Sequence, residues 1–599
     1  MVGKRSTRPS SRNVSSGQPR KPNASFSARL SASRHSDDSF GSDDDNQPSD
    51  NELRSAKRRK VSKPRSNRVN GTCISIFQNC GTVSPEPCCP SSGRQHSLSY
   101  HKPLFLCDSR GFEHRQALLS WFDSVSMTRA MPWRKPWINP STEPDASQLR
   151  KLLERRAYEV WISEIMLQQT RVAVVIDYWN RWMDKWPTIQ DLAAADPEDV
   201  LAAWRGLGYY SRATRIHEAS KLVVGDPAMQ GLLPSATNDL EAKVPGVGRY
   251  TAGAISAIVF GRAAPMVDGN VLRVLSRQLG IYGNIKTDKK VIDAIWAAAD
   301  ALVQTVALDR PDHEDESEVS DRPGRWGQAL MELGSTVCTP KPNCSQCPVT
   351  ASCRVYNEAK NTEKNRGTDI CDIEDLCTLC EPLEEETDNS PEPTALQESK
   401  PNPKTTDKNK GPKQMTLAAF SFTGGKPAKQ NDSKKEDSGK NGAQQEAISN
   451  YARKFPLKTA KKPVREEETV VCAIRRPDGS YLLHRRPDKG LLAGLWEFPS
   501  KTLPSKDDYA TTKQRTALAK AHMKTLLGGV VSPKHMGELG SVPWLFSHLK
   551  LTMHVHLFRL GENGAECGIG DRARWSDNVE GESMGTGMRK CWALVEDAE

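Results

Sequence analysis

Four cysteines within sixteen residues limit most strongly what this chain can fold into: Cys338, Cys344, Cys347 and Cys353. One Cys-x-x-Cys pair is flanked on each side by a single cysteine, with five residues between. A zinc ribbon normally has two Cys-x-x-Cys knuckles far apart, so that each approaches the metal from its own loop. This compact loop instead favours a 4Fe–4S cluster held by four thiolates, with structural zinc as the alternative.

The remaining composition predicts a protein of a reducing compartment. The chain has 599 residues, 15 of them cysteines, and its N-terminus lacks the apolar stretch of a secretory signal. Clustered cysteines in such a chain are metal ligands rather than disulfides. We find no apolar run of about 18 residues, so we predict no membrane-spanning helix. A formal net charge of +10 favours a polyanionic partner.

Composition also predicts a disordered tail and a linker. Residues 1–105 are rich in Ser, Arg and Pro and show no sustained periodicity. Within them, residues 56–61 resemble a nuclear import signal, with a plain solvated charge run as the alternative. The acid-free first 36 residues also fit a mitochondrial transit peptide, which ranks second because few apolar residues could form an amphipathic face. Residues 361–465 are Lys-, Asn-, Pro-, Glu- and Ser-rich and form the predicted interdomain linker.

Two folded domains are predicted between and after these segments. Within residues 106–360, apolar residues recur at three- and four-residue spacing and strand alternation is scarce, which predicts an all-α domain. Residues 466–599 contain short β-rich runs, which predict a small α+β domain. One of these runs, Met553–Phe558, alternates as a half-buried strand does.

Two carboxylates are candidates for acid and base chemistry. Glu164 lies in the apolar run Val160–Leu167, where burial would favour its neutral form and make it a proton donor near neutral pH. A solvated helix face is the alternative. Asp268 precedes the helical run Val271–Leu279, where a simple N-cap is the alternative. A carboxylate at that position could instead stabilise positive charge on a sugar. An acid paired with an ionised carboxylate is the arrangement that glycosidic cleavage needs.

A tight turn lies between these two residues. Gly246 and Gly248 follow Pro245 and precede an Ala- and Ile-rich helix. Such a turn exposes backbone N–H groups at a helix N-terminus, where a phosphate can bind without side-chain charge. An ordinary helix–helix connection is the alternative.

The combination of motifs resembles a known family, the MutY adenine DNA glycosylases of the helix-hairpin-helix superfamily. The resemblance covers about residues 112–357 and resumes at about 468–599. The motifs that carry it, in chain order before the cysteine loop, are Pro132–Arg134, Ser163–Thr170, Gly206–Tyr210, Val244–Ala252, Val267–Asn270 and Met331–Gly334.

The resemblance implies an enzyme that removes adenine paired with 8-oxoguanine, or with guanine, from double-stranded DNA. Glu164 would protonate adenine N7, and Asp268 would stabilise or trap the oxocarbenium ion. Tyr250 and Asn270 would assist around the sugar. Endonuclease III-type relatives carry a lysine where Tyr250 stands, and a phenol cannot form a Schiff base. We therefore predict a monofunctional glycosylase that leaves the strand intact.

The resemblance also implies a set of DNA-contacting residues. Arg134 and Glu332 would lie near the extruded base, while Leu167, Gln169 and Thr170 would fill the gap or touch the opposite base. Tyr209 or Tyr210 would wedge into the stack. The whole predicted set is Trp133, Arg134, Leu167, Gln169, Thr170, Tyr209, Tyr210, Gly246, Gly248, Glu332, Phe546, Ser547 and His548.

One departure from the family concerns the cysteine loop. The family usually has six residues between its first two cluster cysteines, whereas five separate Cys338 from Cys344 here. We expect a structural cluster whose loop presents Lys341 and Arg354 to phosphates.

The C-terminal domain resembles the Nudix-like domain of the same family. Residues 494–499 match the start of a Nudix fold, but residues 498–537 contain no glutamate. An active Nudix hydrolase holds magnesium with glutamates on a helix there, so we predict no such hydrolysis. The segment Phe546-Ser547-His548 resembles the loop that senses 8-oxoguanine, with a β-turn around a packed Phe as the alternative.

The linker carries two further motifs. Cys371, Cys377 and Cys380 have the spacing of the zinc-binding connector of eukaryotic family members. Zinc needs a fourth ligand, for which His313 is the candidate because Ser276 stands where some relatives have Cys; free thiols are the alternative. Residues Gln414–Phe422 resemble a peptide that binds a sliding clamp (PCNA), with Ser421 replacing one aromatic residue.

Three other functions fit the sequence less well. A bifunctional pyrimidine glycosylase and lyase is disfavoured by Tyr250 and by the C-terminal domain. A non-catalytic mismatch-binding protein is disfavoured by the intact Glu164 and Asp268, and a Nudix hydrolase by the missing glutamates. We expect a nuclear base excision repair enzyme that acts as a monomer, with the mitochondrion as a second location and no membrane partner.

Overall fold

A computed structural model describes residues 77, 94–143, 145–309, 319–361, 376–383, 435–459, 463–487, 490–504, 511–528, 532–546, 548–561 and 572–599. Several predicted features lie outside these residues: the import segment 56–61, His313, Cys371, the clamp-like segment 414–422 and Ser547. The predictions made for them stay predictions.

The predicted all-α domain is confirmed. Its helices are α1 (Asp108–Val125), α2 (Ala146–Leu167), α3 (Val172–Lys185), α4 (Ile189–Ala194), α5 (Pro197–Ala203), α6 (Ser211–Gly225), α7 (Thr237–Lys243), α8 (Arg249–Ile258), α9 (Gly269–Leu279), α10 (Lys289–Leu308), α11 (Arg322–Thr336) and α12 (Arg354–Asn361). Asp145, Asp268 and Asp288 each accept a hydrogen bond from the first turn of the helix that follows, which explains where α2, α9 and α10 begin.

The helices pack around two apolar cores, which form two lobes. One core gathers residues of α2 to α8, including the fully buried Trp161, Trp182 and Trp204. The other gathers residues of α1 and α9 to α11. Met331 of α11 packs against both cores. Side chains at the boundary between the lobes are therefore enclosed on two sides.

Helix α10 is long and apolar enough, by length and composition, to cross a membrane. Half of its most apolar window is buried inside the domain, and Val291, Ile295 and Leu302 are fully buried in the second core. Core helices of globular domains pass the same test, and this helix packs as one of them.

The C-terminal domain has a mixed sheet between two helices, as the α+β prediction requires. The strands are β1 (Arg465–Arg475), β2 (Tyr481–Arg485), β3 (Trp496–Glu497), β4 (Ser500–Thr502), β5 (Lys534–Leu545), β6 (Leu549–Arg559) and β7 (Ala573–Ser576). Their main order is β3-β2-β1-β6-β5, with β4 beside β1 and β7 beside β2. Strands β1 and β6 are parallel, and the other pairs are antiparallel. Helix α14 (Thr512–Leu526) covers one face, and α15 (Thr586–Glu596) covers the other.

The half-buried pattern predicted for Met553–Phe558 is wrong. All six residues are buried, including the polar His554 and His556. Because α14 and α15 cover both faces of the sheet, neither set of alternating side chains faces solvent. The two histidines instead lie beside polar side chains: His554 Nε2 is 3.1 Å from Glu468, and His556 is 3.2 Å from His535.

Parts of the predicted tail and linker are folded onto the helical domain. Residues 94–105, which composition assigned to the tail, include two short 3₁₀ helices, Leu98–His101 and Leu104–Leu106. Within the linker, helix α13 (Lys435–Lys454) packs on α12. Ala452 and Phe455 are buried there against Val355. A few apolar residues in a polar segment are thus sufficient to anchor it.

Candidate active site

Glu164 lies in the last turn of α2, at the boundary between the two lobes. Its side chain is buried, with a residue exposure of only 6%. Tyr250, the second residue of α8, donates a hydrogen bond of 2.6 Å to Glu164 Oε2. The same hydroxyl lies 3.1 Å from Met331 Sδ. The predicted burial of this glutamate is therefore confirmed.

Burial makes Glu164 a weak acid. Loss of hydration raises the pKa of this carboxyl to about 7, and the charge of Asp268 adds to the rise. The hydrogen bond from Tyr250 and the positive charge of Arg134 lower the pKa and limit the shift. A carboxyl group with such a pKa can hold a proton and release it near neutral pH.

Asp268 is the N-cap of α9 and lies within electrostatic reach of Glu164 and Tyr250. Its Oδ1 accepts a hydrogen bond of 2.7 Å from the Val271 backbone N–H, and its Oδ2 accepts one of 2.8 Å from the Asn270 side chain. Burial raises the pKa of Asp268, whereas these hydrogen bonds favour its ionised form. The capping role and a catalytic role do not exclude each other, because one oxygen caps the helix.

Asn270 is itself held in place by Arg273 of the same helix. Its Oδ1 accepts a hydrogen bond of 2.8 Å from Arg273, whose guanidinium also donates to the backbone carbonyls of Gly334 and Cys338. Arg273 thus links the N-terminal end of α9, which carries Asp268, to the C-terminal end of α11 and to the cysteine loop. The structure brings together the four predicted catalytic side chains Glu164, Tyr250, Asp268 and Asn270.

The glycine turn connects α7 to α8 and so places Tyr250. Gly246 has a φ of +81°, a conformation that L side chains rarely adopt. Gly248 is the N-cap of α8, one residue before the helix begins. Gly246 is exposed and Gly248 half-buried, so the N-terminus of α8 is accessible to an anion.

The two tyrosines of the loop at residues 206–210, the tyrosine loop, have opposite environments. Tyr209 is 52% exposed, has a φ of +48°, and donates a hydrogen bond of 2.6 Å to the Gln169 side chain. Tyr210 is 3% exposed, and its hydroxyl accepts from the Gly206 N–H. Only Tyr209 can reach a ligand without disturbing the core, so the structure contradicts Tyr210 as a wedge.

The residues of the Pro-Trp-Arg motif also have different environments. Trp133 is buried against Trp179 in the first core, so its indole packs in that core, and its predicted DNA contact stays a prediction. Arg134 forms an ion pair of 2.6 Å with the buried Glu332, and its charge also reaches Glu164. Arg129, which no sequence motif indicated, donates to the other Glu332 oxygen. Leu167 and Thr170 are half-buried at the end of α2, and Gln169 is exposed.

The four cysteines of the loop at 338–353 lie close together. Their sulfurs are close enough to influence one another: burial raises the pKa of Cys347 to about 12, and the Cys338 and Cys344 thiols add to the rise. The loop thus gathers four thiols that could hold one metal centre.

Arg277 and Arg354 were not predicted in the roles that they have. Arg277 donates to Cys338 Sγ at 3.2 Å and to the Thr339 carbonyl, so it contacts the first cysteine of the loop. The five-residue spacing between Cys338 and Cys344, one residue shorter than usual in the family, is compatible with this contact. Arg354 is 2% exposed and donates to the Lys102 carbonyl, so its expected contact with phosphate is wrong.

A second group of metal-binding side chains lies at the other end of α9: His96, His101, Cys377 and Cys380. One donor atom from each lies within 4.8 Å of all the others. His96 Nδ1 faces the Arg94 carbonyl and His101 Nδ1 faces the Leu279 carbonyl, which leaves both Nε2 atoms toward the sulfurs. Two imidazoles and two thiols at this spacing match a single tetrahedral zinc ion.

This His/Cys group differs from the predicted one. Cys377 and Cys380 are members as expected, but both histidines come from the segment assigned to the tail. Two contacts hold that segment against the linker: the Cys377 N–H donates to the His96 carbonyl, and Ser97 pairs with Leu376 as an isolated β-bridge. Ser276 is buried nearby and donates to the Ile281 carbonyl. The only local signal for the histidines was their His-x₄-His spacing.

The segment Phe546-Ser547-His548 connects β5 to β6 at one end of the sheet. The Phe546 N–H donates to the Leu549 carbonyl at 2.7 Å, which closes a tight turn. Phe546 is half-buried, His548 is exposed, and their rings are stacked with centroids 6.4 Å apart. Phe546 and Leu549 thus close a turn between the strands, and the predicted contact of this segment with the opposite base stays a prediction.

Comparisons with known proteins match the helical domain and the C-terminal domain to two different families. The model of the HhH-GPD superfamily of base excision DNA repair proteins matches residues 162–300, and that of the NUDIX domain matches residues 470–594. Human adenine DNA glycosylase is 34% identical over 513 residues, which cover 83% of this chain and 76% of the human protein. The chain belongs to the adenine DNA glycosylase family. It is a DNA-binding enzyme of base excision repair.

A second full-length relative agrees with this assignment, and one solved structure is similar to part of the chain. Mouse adenine DNA glycosylase is 36% identical over 84% of this chain and 81% of its own length. The solved C-terminal domain of mouse MUTYH in complex with human PCNA is 31% identical, over 22% of this chain and 90% of that domain, with a TM-score of 0.19.

Proposed function

We propose that this adenine DNA glycosylase is monofunctional and removes adenine opposite 8-oxoguanine and opposite guanine. The observation that carries the proposal is the buried Glu164, hydrogen-bonded to Tyr250 and within electrostatic reach of Asp268. An acid with a pKa of about 7 beside a carboxylate held by N–H donors is a pair suited to breaking a glycosidic bond.

The chemistry divides between the two carboxyl groups. Glu164 donates its proton to N7 of the extruded adenine, so the electron pair of the breaking C1′–N9 bond leaves with a neutral base. Asp268 offsets the positive charge that develops on the sugar. Water then attacks C1′ and gives up a proton, and an abasic site remains. Tyr250 holds the Glu164 carboxyl in place, and a phenol offers no amine for strand cleavage.

Exposed groups around this site are suited to holding a distorted duplex. Tyr209 and Gln169 form one exposed pair that would enter the stack beside Leu167 and Thr170. The N-terminus of α8, after Gly246 and Gly248, would bind a backbone phosphate. In the C-terminal domain, Phe546, Ser547 and His548 would contact the base opposite the adenine.

Incubation with a labelled duplex that contains one A·8-oxoguanine pair tests this function. We expect cleavage at the adenine only after alkali treatment, because the enzyme leaves the sugar–phosphate backbone intact. Cleavage without alkali would contradict the argument from Tyr250. A duplex with an A·T pair serves as the control. Intact DNA in spite of tight duplex binding would instead favour a mismatch-binding protein.

The pH dependence of excision should follow the two carboxyl groups. Glu164 acts only when protonated, so the rate should fall above pH 7 by close to tenfold per pH unit. Asp268 acts only when ionised, so the rate should also fall on the acid side. Because the Tyr250 hydrogen bond lowers the pKa of Glu164, Tyr250→Phe should move the alkaline limb to higher pH. Single-turnover rates from pH 5 to pH 9 measure both limbs, and an unmoved limb in Tyr250→Phe would contradict this assignment.

We further propose two metal centres with structural roles. The cysteine loop would hold a 4Fe–4S cluster, whose positive iron ions allow buried thiols to ionise. The His/Cys group would hold zinc, which would fasten the segment 94–107 and the linker to the C-terminal end of α9. The N-terminal end of the same helix carries Asp268.

Metal content should separate the two centres. Purified protein should contain about one zinc and about four irons per chain. His101→Ala and Cys377→Ala should lose the zinc and keep the iron, because their side chains belong to the His/Cys group alone. His114→Ala on α1, outside both groups, is the matched control. Full zinc content in His101→Ala, measured by mass spectrometry, would show that another residue is the ligand.

The remaining proposals rest on sequence. Residues 414–422 would bind a sliding clamp, and residues 56–61 would direct nuclear import, with a mitochondrial form as the second location. Deleting each segment separately and measuring clamp affinity and the location of a fluorescent fusion would test them.

A further inference from the structure

The C-terminal domain contacts the helical domain at the base of the tyrosine loop. Arg205, the residue before this loop, reaches across and donates to the backbone carbonyls of Gly581 at 3.0 Å and Glu582 at 3.2 Å. Leu495 of the C-terminal domain is fully buried in the first core of the helical domain, and Leu492 packs beside it. The contact is thus partly apolar, with a guanidinium at its centre.

The segment that receives Arg205 is itself braced within the C-terminal domain. Arg589 of α15 donates to the carbonyls of Glu580 and Glu582. Arg574 pairs with the Glu582 side chain and, at 3.3 Å, with Glu198 of α5. The Arg574–Glu198 pair is largely exposed, so it contributes little to the contact. Arg205 makes two hydrogen bonds to backbone carbonyls, one exposed and one part-buried, and these charge-assisted bonds are the other polar link of the contact.

From Arg205 the contact continues into the tyrosine loop. The Arg205 carbonyl accepts a hydrogen bond from the Tyr178 hydroxyl, which fixes the start of the loop. Gly206 follows with a φ of +94°, and a Cβ there would meet the same hydroxyl at 2.4 Å. At the far side of the loop, the Gly208 carbonyl accepts from Trp204 Nε1 at 3.0 Å. These contacts fix the loop beside the Arg205 backbone at its start and beside Trp204 at Gly208.

Arg212 connects the loop to the end of the helix that carries Glu164. Its guanidinium donates to the Ile165 and Gln168 carbonyls at 2.7 and 2.8 Å, and to Gly208 at 3.1 Å. Tyr209 completes the link through its hydrogen bond to Gln169. The exposed face of Tyr209 stays uncovered, so the interdomain contact does not block its insertion into DNA.

We infer that Arg205 is a positioning residue through which the C-terminal domain sets the tyrosine loop, and with it the extrusion of adenine. Contact of the C-terminal domain with the opposite base would be transmitted through residues 581–582 to Arg205 and from there to Tyr209. Arg205 touches neither base. This inference rests on the proposed recognition of 8-oxoguanine by the C-terminal domain, and it names the route by which that recognition reaches the reaction.

Opposite-base preference in the full-length protein tests this inference. Arg205→Met keeps the side-chain volume and removes the donors. We expect excision opposite 8-oxoguanine to slow about tenfold or more, and excision opposite guanine about twofold or less. Arg205→Lys, which keeps one donor group, should recover part of the preference. Glu198→Ala, which removes only the exposed pair, is the matched control and should behave as wild type.

Single-turnover rates on both duplexes, with thermal unfolding of each variant, give distinct outcomes. Equal slowing on both duplexes would mean a merely structural role and would overturn the inference, as would unchanged preference in Arg205→Met. If Arg205→Met does not fold, the Arg205→Lys preference decides in the same way. A wild-type protein with no preference for 8-oxoguanine would remove the proposed recognition itself, and the inference with it.

Discussion

Replacing Glu164 by Gln should lower the rate of adenine excision by about 10³-fold, since the variant lacks the proton that a general acid supplies. The glutamine side chain has nearly the same shape and can still accept the hydrogen bond from Tyr250. Burial disfavours the charged form of Glu164, so the neutral amide should not destabilise the fold. Duplex affinity should stay within about threefold of wild type, because no DNA contact is removed.

Glu159→Gln provides the matched control on the same helix. Glu159 is equally buried, but it pairs with Lys135 at 2.6 Å and with Arg155 at 3.2 Å, away from Tyr250. Its neutral variant should lose stability and keep the excision rate, the reverse of Glu164→Gln. Single-turnover rates and thermal unfolding of the two variants distinguish the roles. If Glu164→Gln retains more than a tenth of the wild-type rate, another group supplies the proton.

The sequence predicted best those features that depend on local pattern. Glu164 stood out because it is a charged residue in an apolar helical run, and such a residue is either buried or out of place. Asp268 stood out because it precedes a helix, and it does cap α9. That the two side chains meet depends on the packing of two lobes, which no local pattern contains. The family resemblance supplied that link.

Features made by distant segments were missed or misassigned. His96 and Cys377 are 281 positions apart in the chain, so neither one indicates the other. Tyr209 and Tyr210 are adjacent and identical in type, so the sequence cannot distinguish them. In the structure Tyr209 has a positive φ and an exposed ring, whereas the ring of Tyr210 is buried. Trp133 belongs to a family motif, yet its side chain serves the core. A motif identifies a segment, whereas the packing of each side chain shows what that residue contacts within the protein.

Asp268→Asn should lower the excision rate by at least about 10³-fold, because the developing positive charge on the sugar loses its partner. Asparagine is as good an N-cap as aspartate, so α9 should keep its start and the protein its fold. A neutral side chain also removes one negative charge beside a DNA-binding surface. Affinity for an A·8-oxoguanine duplex should therefore be unchanged or slightly tighter, and the adenine should stay uncleaved.

The chain contains a matched control for the capping role. Asp288 caps α10 in the same manner, with a hydrogen bond of 2.9 Å from the Lys290 N–H, and lies outside the site. Asp288→Asn should leave both rate and affinity as in wild type. If Asp268→Asn loses duplex binding as well as excision, the aspartate is needed for structure. If it binds normally and excises at more than a tenth of the wild-type rate, the charge of Asp268 does not stabilise the transition state. Loss of excision alone, with Asp288→Asn unaffected, assigns that charge to the reaction.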